Sequence, residues 1–225
     1  YMAQQAGLAV NILPDIRTKP DPEKVNIIIC ADSFGAGDFF LRELQSGRPR
    51  VHGCCTWDPK TTEVVDGSGG KAKILLSNRN CLIIADILIV NKGFANAQPA
   101  MLKGLVEGIL EGNRLVREDP RKHLPVITKA FGWSNDDALA ELKKVHLANL
   151  PENLAFFEGT IDSAGSYNYI YESSALAYGS DIIKNAYDGE NFLDLKPLQA
   201  IQSEGKFAAQ KADIVMETDN PMRGV

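Results

Sequence analysis

The chain has 225 residues and a formal net charge of −5, with 44% apolar and 24% charged residues. This is the composition of a globular protein with one or two domains. Its Lys and Arg residues are dispersed and outnumbered by acidic ones, so the chain is not predicted to bind nucleic acid. No apolar run reaches the roughly 18 residues that a membrane-spanning helix needs. The four cysteines are too few and too irregularly spaced to predict a disulfide scaffold or a zinc site.

The first part of the chain is predicted to be rich in β-strands. Strands are expected over residues 8–12, 25–30, 51–57, 63–65, 73–76 and 81–90, where apolar and β-branched residues cluster. Asp32 and Ser33 offer an N-cap for a helix that Gly47 can end. The run 81–90 is apolar on both faces, as a central strand of a mostly parallel sheet must be.

From Pro99 onward, apolar residues recur at helical spacing. Helices are predicted to start at Pro99, Asp119-Pro120, Ser134 and Pro151, and a last helix is predicted over 167–178. Gly104, Gly108 and Gly112 lie four residues apart, which predicts close packing of another backbone against them. The pattern of strands followed by helices predicts an α/β fold.

An ordered series of motifs runs through the sequence. Gln45-Ser46-Gly47 precedes a segment from Val51 to Pro59, then Ile84 to Val90 is followed by Phe94-Ala95 and Pro99, and Asn153 to Phe157 comes last. This series resembles the type II periplasmic solute-binding proteins of ABC transporters, the group that includes nitrate, taurine, alkanesulfonate and thiamine-precursor binders. It is especially similar to the phosphate-type substrate-binding envelope proteins.

The resemblance implies a type II periplasmic-binding-protein fold, with two lobes and a hinge. Residues 1–85 would belong to the second lobe, and residues 86–197 would supply the crossover strand and the helical part of the first lobe. Residues 198–225, which become polar and lose their period, are expected to form a tail or linker. The family's opening strand and helix of the first lobe do not precede Tyr1, and no signal peptide is visible.

The resemblance also implies a function. A solute-binding protein closes its lobes on a small anionic or zwitterionic solute, such as a phosphate or a sulfonate, and presents it to an ABC permease. The chain is then expected in the periplasm or cell envelope, without enzymatic activity, cofactor or metal. One departure concerns the Arg that often follows this group's crossover strand, because Asn91 stands there and an amide cannot reproduce the guanidinium fork.

Four residues are predicted to contact the solute. Ser33 lies at a strand–helix turn, where backbone N–H groups and a hydroxyl can converge on an anion. Trp57 and Asp58 follow a predicted strand and offer an aromatic wall and a hydrogen-bond acceptor, while Asn91 follows the crossover strand. A purely structural interpretation stays open for each, since such turns need capping residues and a Trp can simply fill a lobe.

Two other functions stay open. The chain could be an accessory or structural subunit of an envelope complex that keeps the fold without transport, in contact with other envelope proteins. It could also resemble the pyrimidine synthase of thiamine biosynthesis, which belongs to the same fold family. That enzyme carries a run of cysteines for iron, however, where this chain has only Cys81.

Overall fold

The computed structural model describes residues 3, 6–77, 84–158, 167, 171 and 189–212. These residues form a mixed α/β structure that is mostly helical, with eight α-helices, one 3₁₀ turn and a two-stranded sheet. They divide into two compact units, the first lying within residues 1–80 and the second within residues 81–218. None of the described helices is both long and apolar enough to cross a bilayer.

The first unit contains the sheet. Strand β1 (Val10–Leu13) pairs in parallel with β2 (Val25–Ile28), and Val10 lies opposite Val25. The amide of Asn11 donates to that of Asn26 across the pair at 2.9 Å. Both strands fall where the sequence predicts strands, because their β-branched residues suit a pleated backbone.

Two helices complete the first unit. Helix α1 (Ser33–Gln45) begins after the N-cap Asp32, as predicted, and α2 (Lys60–Gly67) packs against it. The close approach occurs at Gly37, where an added Cβ would lie 2.5 Å from Lys60 Cγ. The chain leaves α1 through Gly47, whose φ of 75° is one that glycine adopts at no steric cost.

Three predicted strands of this unit do not form. Residues 63–65 lie inside α2, and residues 51–57 and 73–76 pair with no described strand. An apolar segment forms a strand only when a neighbouring strand pairs with its backbone hydrogen-bonding groups, and apolar content alone does not reveal such a partner. Without such a neighbour Leu75 is 82% exposed.

The second unit is helical. Its α-helices are α3 (Lys92–Ala97), α4 (Pro99–Glu118), α5 (Pro120–Phe131), α6 (Asn135–Leu142), α7 (Leu150–Glu158) and α8 (Lys196–Ser203), and a 3₁₀ turn covers Gly189–Phe192.

The predicted helix boundaries are confirmed at several caps. Asp119 accepts a hydrogen bond from the backbone of Lys122, and Gly132 ends α5 with a φ of 71°. Ser134 caps α6 and exchanges hydrogen bonds with Asp137.

The core of the second unit includes residues that the sequence was expected to place in a polar tail. Leu198 and Ile201 on α8, with Phe207 beyond it, pack against Leu110 of α4 and Leu154 of α7. These three apolar residues are separated by mostly polar ones, so the sequence shows no clear apolar period there. The expected tail over 198–225 therefore does not begin at residue 198.

The crossover strand predicted over 81–90 is also absent from residues 84–90. This described part forms no ladder and is exposed at Ile84, Ile87, Leu88 and Ile89. Residues 81–83 and most of the predicted helix over 167–178 lie outside the described residues.

The close packing predicted at the glycines of α4 is not observed. An added Cβ at Gly104, Gly108 or Gly112 would meet no described atom within 4 Å.

Candidate functional site

The turn from β2 into α1 positions the first candidate residues. The Asp32 carboxylate accepts a hydrogen bond from the Gly35 N–H at 2.6 Å, which fixes the first turn of α1. The Thr56 hydroxyl donates to the Ser33 carbonyl oxygen at 2.8 Å. This bond joins two segments 23 residues apart, so that Trp57 follows directly from a residue anchored at the start of α1.

Two aromatic side chains meet at this point. The rings of Phe34 and Trp57 lie edge to face, with their centroids 6.3 Å apart and their planes at 77°. Trp57 is 62% exposed and Phe34 is 38% exposed. We call this pair the aromatic corner. Two neighbouring aromatic rings that solvent can reach can bind an apolar or cationic part of a small molecule.

Lys60 borders the aromatic corner. Its ammonium lies 5.7 Å from the centroid of the Phe34 ring and forms ion pairs with Asp38, at 3.0 Å, and with Glu63. The hydrogen bonds that the ammonium donates to these carboxylates, first Glu63 and then Asp38, raise the pKa of Lys60 above its ordinary value. Lys60 is therefore a cation at neutral pH, and two carboxylates already bind it.

Asp58 follows Trp57 and is joined to Pro59 by a cis peptide bond. Its carboxylate accepts a hydrogen bond from the Thr62 hydroxyl in the first turn of α2 at 3.1 Å. Asp58 thus ties the start of α2 to the segment that carries Trp57, and it places a negative charge directly after the exposed ring.

Ser33 is the first residue of α1, and its hydroxyl oxygen is buried without a hydrogen-bond partner among the described residues. A buried hydroxyl without a partner costs about 1–3 kcal/mol. Its presence at the start of α1 is one reason to place the candidate site here. The structure thus gathers Ser33, Trp57 and Asp58 in one region of the first unit.

Asn91 lies in the second unit, where it is the N-cap of α3. Its side-chain oxygen accepts a hydrogen bond from the Phe94 N–H at 3.1 Å and so caps α3. The cap occupies the side-chain oxygen of Asn91. The predicted solute contact of Asn91 stays a prediction.

No protein-family model, curated protein sequence or solved structure matches this chain.

Other parts of the described chain offer less for chemistry. The His, Cys, Asp and Glu residues described form no group that could hold a metal ion. A small cavity of about 180 Å³ in the second unit is lined by Leu150, Pro151, Leu154, Gln202, Phe207, Ala208 and Gln210. These lining residues include no charged group, whereas the aromatic corner combines exposed rings with charged neighbours.

Phe34 and Lys60 were not among the predicted site residues. Phe34 follows Ser33 in a segment whose capping and anion-binding groups carry the prediction. Lys60 lies two residues after Asp58, but its position over a ring 26 residues earlier depends on how α2 packs on α1. The only signal for Phe34 in the sequence is an aromatic residue directly after Ser33.

Proposed function

We propose that the chain is a solute-binding protein of an ABC-type importer. It would bind a small anionic or zwitterionic solute and deliver it to a permease at the periplasm or cell envelope. The finer fold that goes with this proposal is the two-lobed type II fold with a hinge, and closure around the solute is the mechanism that the motif series implies. The mixed α/β architecture is compatible with it.

The observation that carries the proposal is the exposed aromatic corner at the start of α1. A Trp that only fills a core is mostly buried, whereas Trp57 is 62% exposed and lies against Phe34. Small-molecule sites are lined mainly by apolar and aromatic side chains with a few placed polar groups. The Asp58 carboxylate, which accepts a hydrogen bond from Thr62, directly follows Trp57, and the buried Ser33 hydroxyl belongs to the residue before Phe34.

A thermal-shift screen tests the proposal. The protein is melted with phosphate, taurine, nitrate, bicarbonate or a pyrimidine at millimolar concentration. A solute that binds only the native state at 100 times its Kd adds about 2.7 kcal/mol to the free energy of unfolding. For a chain of this length we expect Tm to rise by roughly 5 °C or more.

Matched variants locate the binding. Trp57→Leu is expected to abolish the shift, while Trp133→Leu, which removes the other Trp of the chain, leaves it unchanged. Trp133 is a suitable control because it also lies against an aromatic ring, that of Phe131, at 4.5 Å. A shift that survives Trp57→Leu would contradict the proposed site. The absence of a shift with every solute would contradict the proposed function.

One observation favours the accessory-subunit alternative. Helix α4 exposes an uncharged row of residues to solvent, namely Met101, Gly104, Leu105, Gly108, Ile109 and Gly112. Exposed apolar surface of this kind is typical of proteins that assemble with others. This alternative predicts no thermal shift with any solute and a large buried interface with envelope proteins in the purified assembly.

A further inference from the structure

The charges beside the aromatic corner are mostly negative. Asp58 follows Trp57 in the sequence, and Lys60, whose ammonium lies over the Phe34 ring, pairs with Asp38 and Glu63. At neutral pH these three carboxylates and one ammonium carry a net charge of −2. An anion that approaches the rings is therefore repelled, and a cation is attracted.

The cation at this corner is already engaged. Lys60 is 13% exposed, and its ammonium contacts Asp38, Glu63 and the face of Phe34. A solute anion would have to compete with two carboxylates for it. The same arrangement also demonstrates that an aromatic ring of this corner packs against an ammonium group.

We infer that the solute bound at the aromatic corner carries an ammonium group that packs on Trp57. Indole is the aromatic ring that attracts cations most strongly, and Trp57 is the more exposed ring of the pair. Of the two solute classes proposed above, the zwitterionic class then fits the site and a purely anionic solute does not. This inference rests on the proposed function, because it names the solute class of the same site.

Trp57 can report on binding directly. The chain has two Trp residues, so Trp133→Phe leaves Trp57 as the single indole and keeps an aromatic ring beside Phe131. The fluorescence of this variant is titrated with tetramethylammonium chloride, with tert-butanol, and with sodium sulfate. These are a cation, a neutral molecule of nearly the same shape, and an anion. Sodium chloride keeps the ionic strength equal throughout.

We expect a saturable change in Trp57 emission with tetramethylammonium, at a Kd at least about tenfold lower than that of tert-butanol, and no change with sulfate. In the same background, Asp58→Asn keeps an acceptor for Thr62 but removes a charge, and it should weaken tetramethylammonium binding about threefold. Asp136→Asn removes an equal charge from the second unit and should leave the Kd unchanged. Added salt should weaken the binding.

Three results would overturn the inference. Saturable binding of sulfate without binding of tetramethylammonium would assign the corner to anions, and equal binding of tert-butanol would make it merely apolar. No response to any probe would also overturn it. In each case the thermal-shift screen shows whether only the inferred solute class fails or the proposed function fails too. If a solute raises Tm in wild type but not in Trp57→Leu, the proposed function stands. If no solute raises Tm, the proposed function is overturned as well.

Discussion

At the scale of single residues, the Ser33 hydroxyl is expected to cost stability. This hydroxyl is buried without a partner among the described residues. Since Ser33→Ala removes an unsatisfied group, we expect the free energy of unfolding to stay unchanged or to rise by up to about 1 kcal/mol. Urea denaturation measures it. A loss of more than about 1 kcal/mol would contradict the assignment, and Asp32→Ala, which deletes the N-cap of α1, should cost about 1 kcal/mol for comparison.

The ion pair between Glu43 and Arg50 predicts that the free energy of unfolding depends on pH. The Glu43 carboxylate accepts hydrogen bonds from the Arg50 guanidinium at 2.6 and 3.2 Å and from the Arg50 N–H at 3.0 Å. These bonds hold the pKa of Glu43 below its ordinary value of 4.5. A carboxyl whose pKa is lowered by folding stabilises the protein above the unfolded pKa, and this contribution is lost as pH falls through the folded pKa.

We therefore expect wild type to lose more stability than Glu43→Gln as the pH falls from about 5 towards 3. Urea denaturation at a series of pH values measures the difference. Parallel curves for the two proteins would contradict the ion pair. The comparison is informative because the variant keeps the size of the side chain and removes only its titration.

At the scale of elements, one glycine fixes how α2 lies on α1. An added Cβ at Gly37 would lie 2.5 Å from Lys60 Cγ and 3.2 Å from Val64 Cγ2. Replacing a mid-helix Gly by Ala normally stabilises a helix by about 1 kcal/mol. At Gly37 we expect Ala to destabilise instead, by roughly 1–3 kcal/mol, because of overpacking. Thermal denaturation measures the effect.

Gly104 in α4 is the matched control for this prediction. No described atom lies within 4 Å of a Cβ added there. Gly104→Ala should therefore show the ordinary gain of about 1 kcal/mol. A gain at both positions would mean that α1 and α2 do not approach each other closely at Gly37.

Helix α7 depends on a buried carboxylate. Glu152 is 2% exposed and accepts hydrogen bonds from the Asn149 N–H at 2.8 Å and from Arg117 at 3.3 Å. Its own N–H donates to the Asn149 side chain at 3.0 Å, which completes a capping box. His146 Nε2 lies 2.9 Å from the same carboxylate.

We expect Glu152→Ala to lower the free energy of unfolding by about 2 kcal/mol, because it leaves the buried Asn149 N–H without its acceptor and removes one of the two described acceptors of the Arg117 guanidinium. Glu152→Gln keeps the size and one acceptor oxygen, so it should cost clearly less. Equilibrium denaturation of both variants measures the two losses. Equal small losses would argue that the carboxylate makes these bonds only weakly.

Helix ends could be predicted from the sequence because caps are local. Asp32, Asp119, Ser134 and Gly132 act within three or four residues of themselves, so neighbouring letters suffice. Strands could not be predicted as well. Segment 84–90 has the composition of a central strand, but a ladder depends on a partner distant in the sequence, and no described strand pairs with it.

At the scale of the whole molecule, the described residues form two units, and the site residues divide between them. Ser33, Trp57 and Asp58 were predicted and lie in the first unit, whereas Asn91 lies in the second. Lys60 joins the candidate site through the packing of α2 on α1, and Phe34 joins it because the Thr56–Ser33 hydrogen bond brings Trp57 near; no local pattern encodes either contact. The mixed α/β class was predictable from the order of strands and helices, and the two-lobed fold stays a prediction.

The most direct test of the proposed function is equilibrium dialysis of the solute that gives the largest thermal shift. We predict one bound solute per chain for wild type and for Trp133→Leu, and loss of binding in Trp57→Leu. Circular dichroism of the variants should match that of wild type, so that any loss is not caused by unfolding. Equal binding by folded Trp57→Leu, or no bound solute in wild type, would contradict a solute site at the aromatic corner.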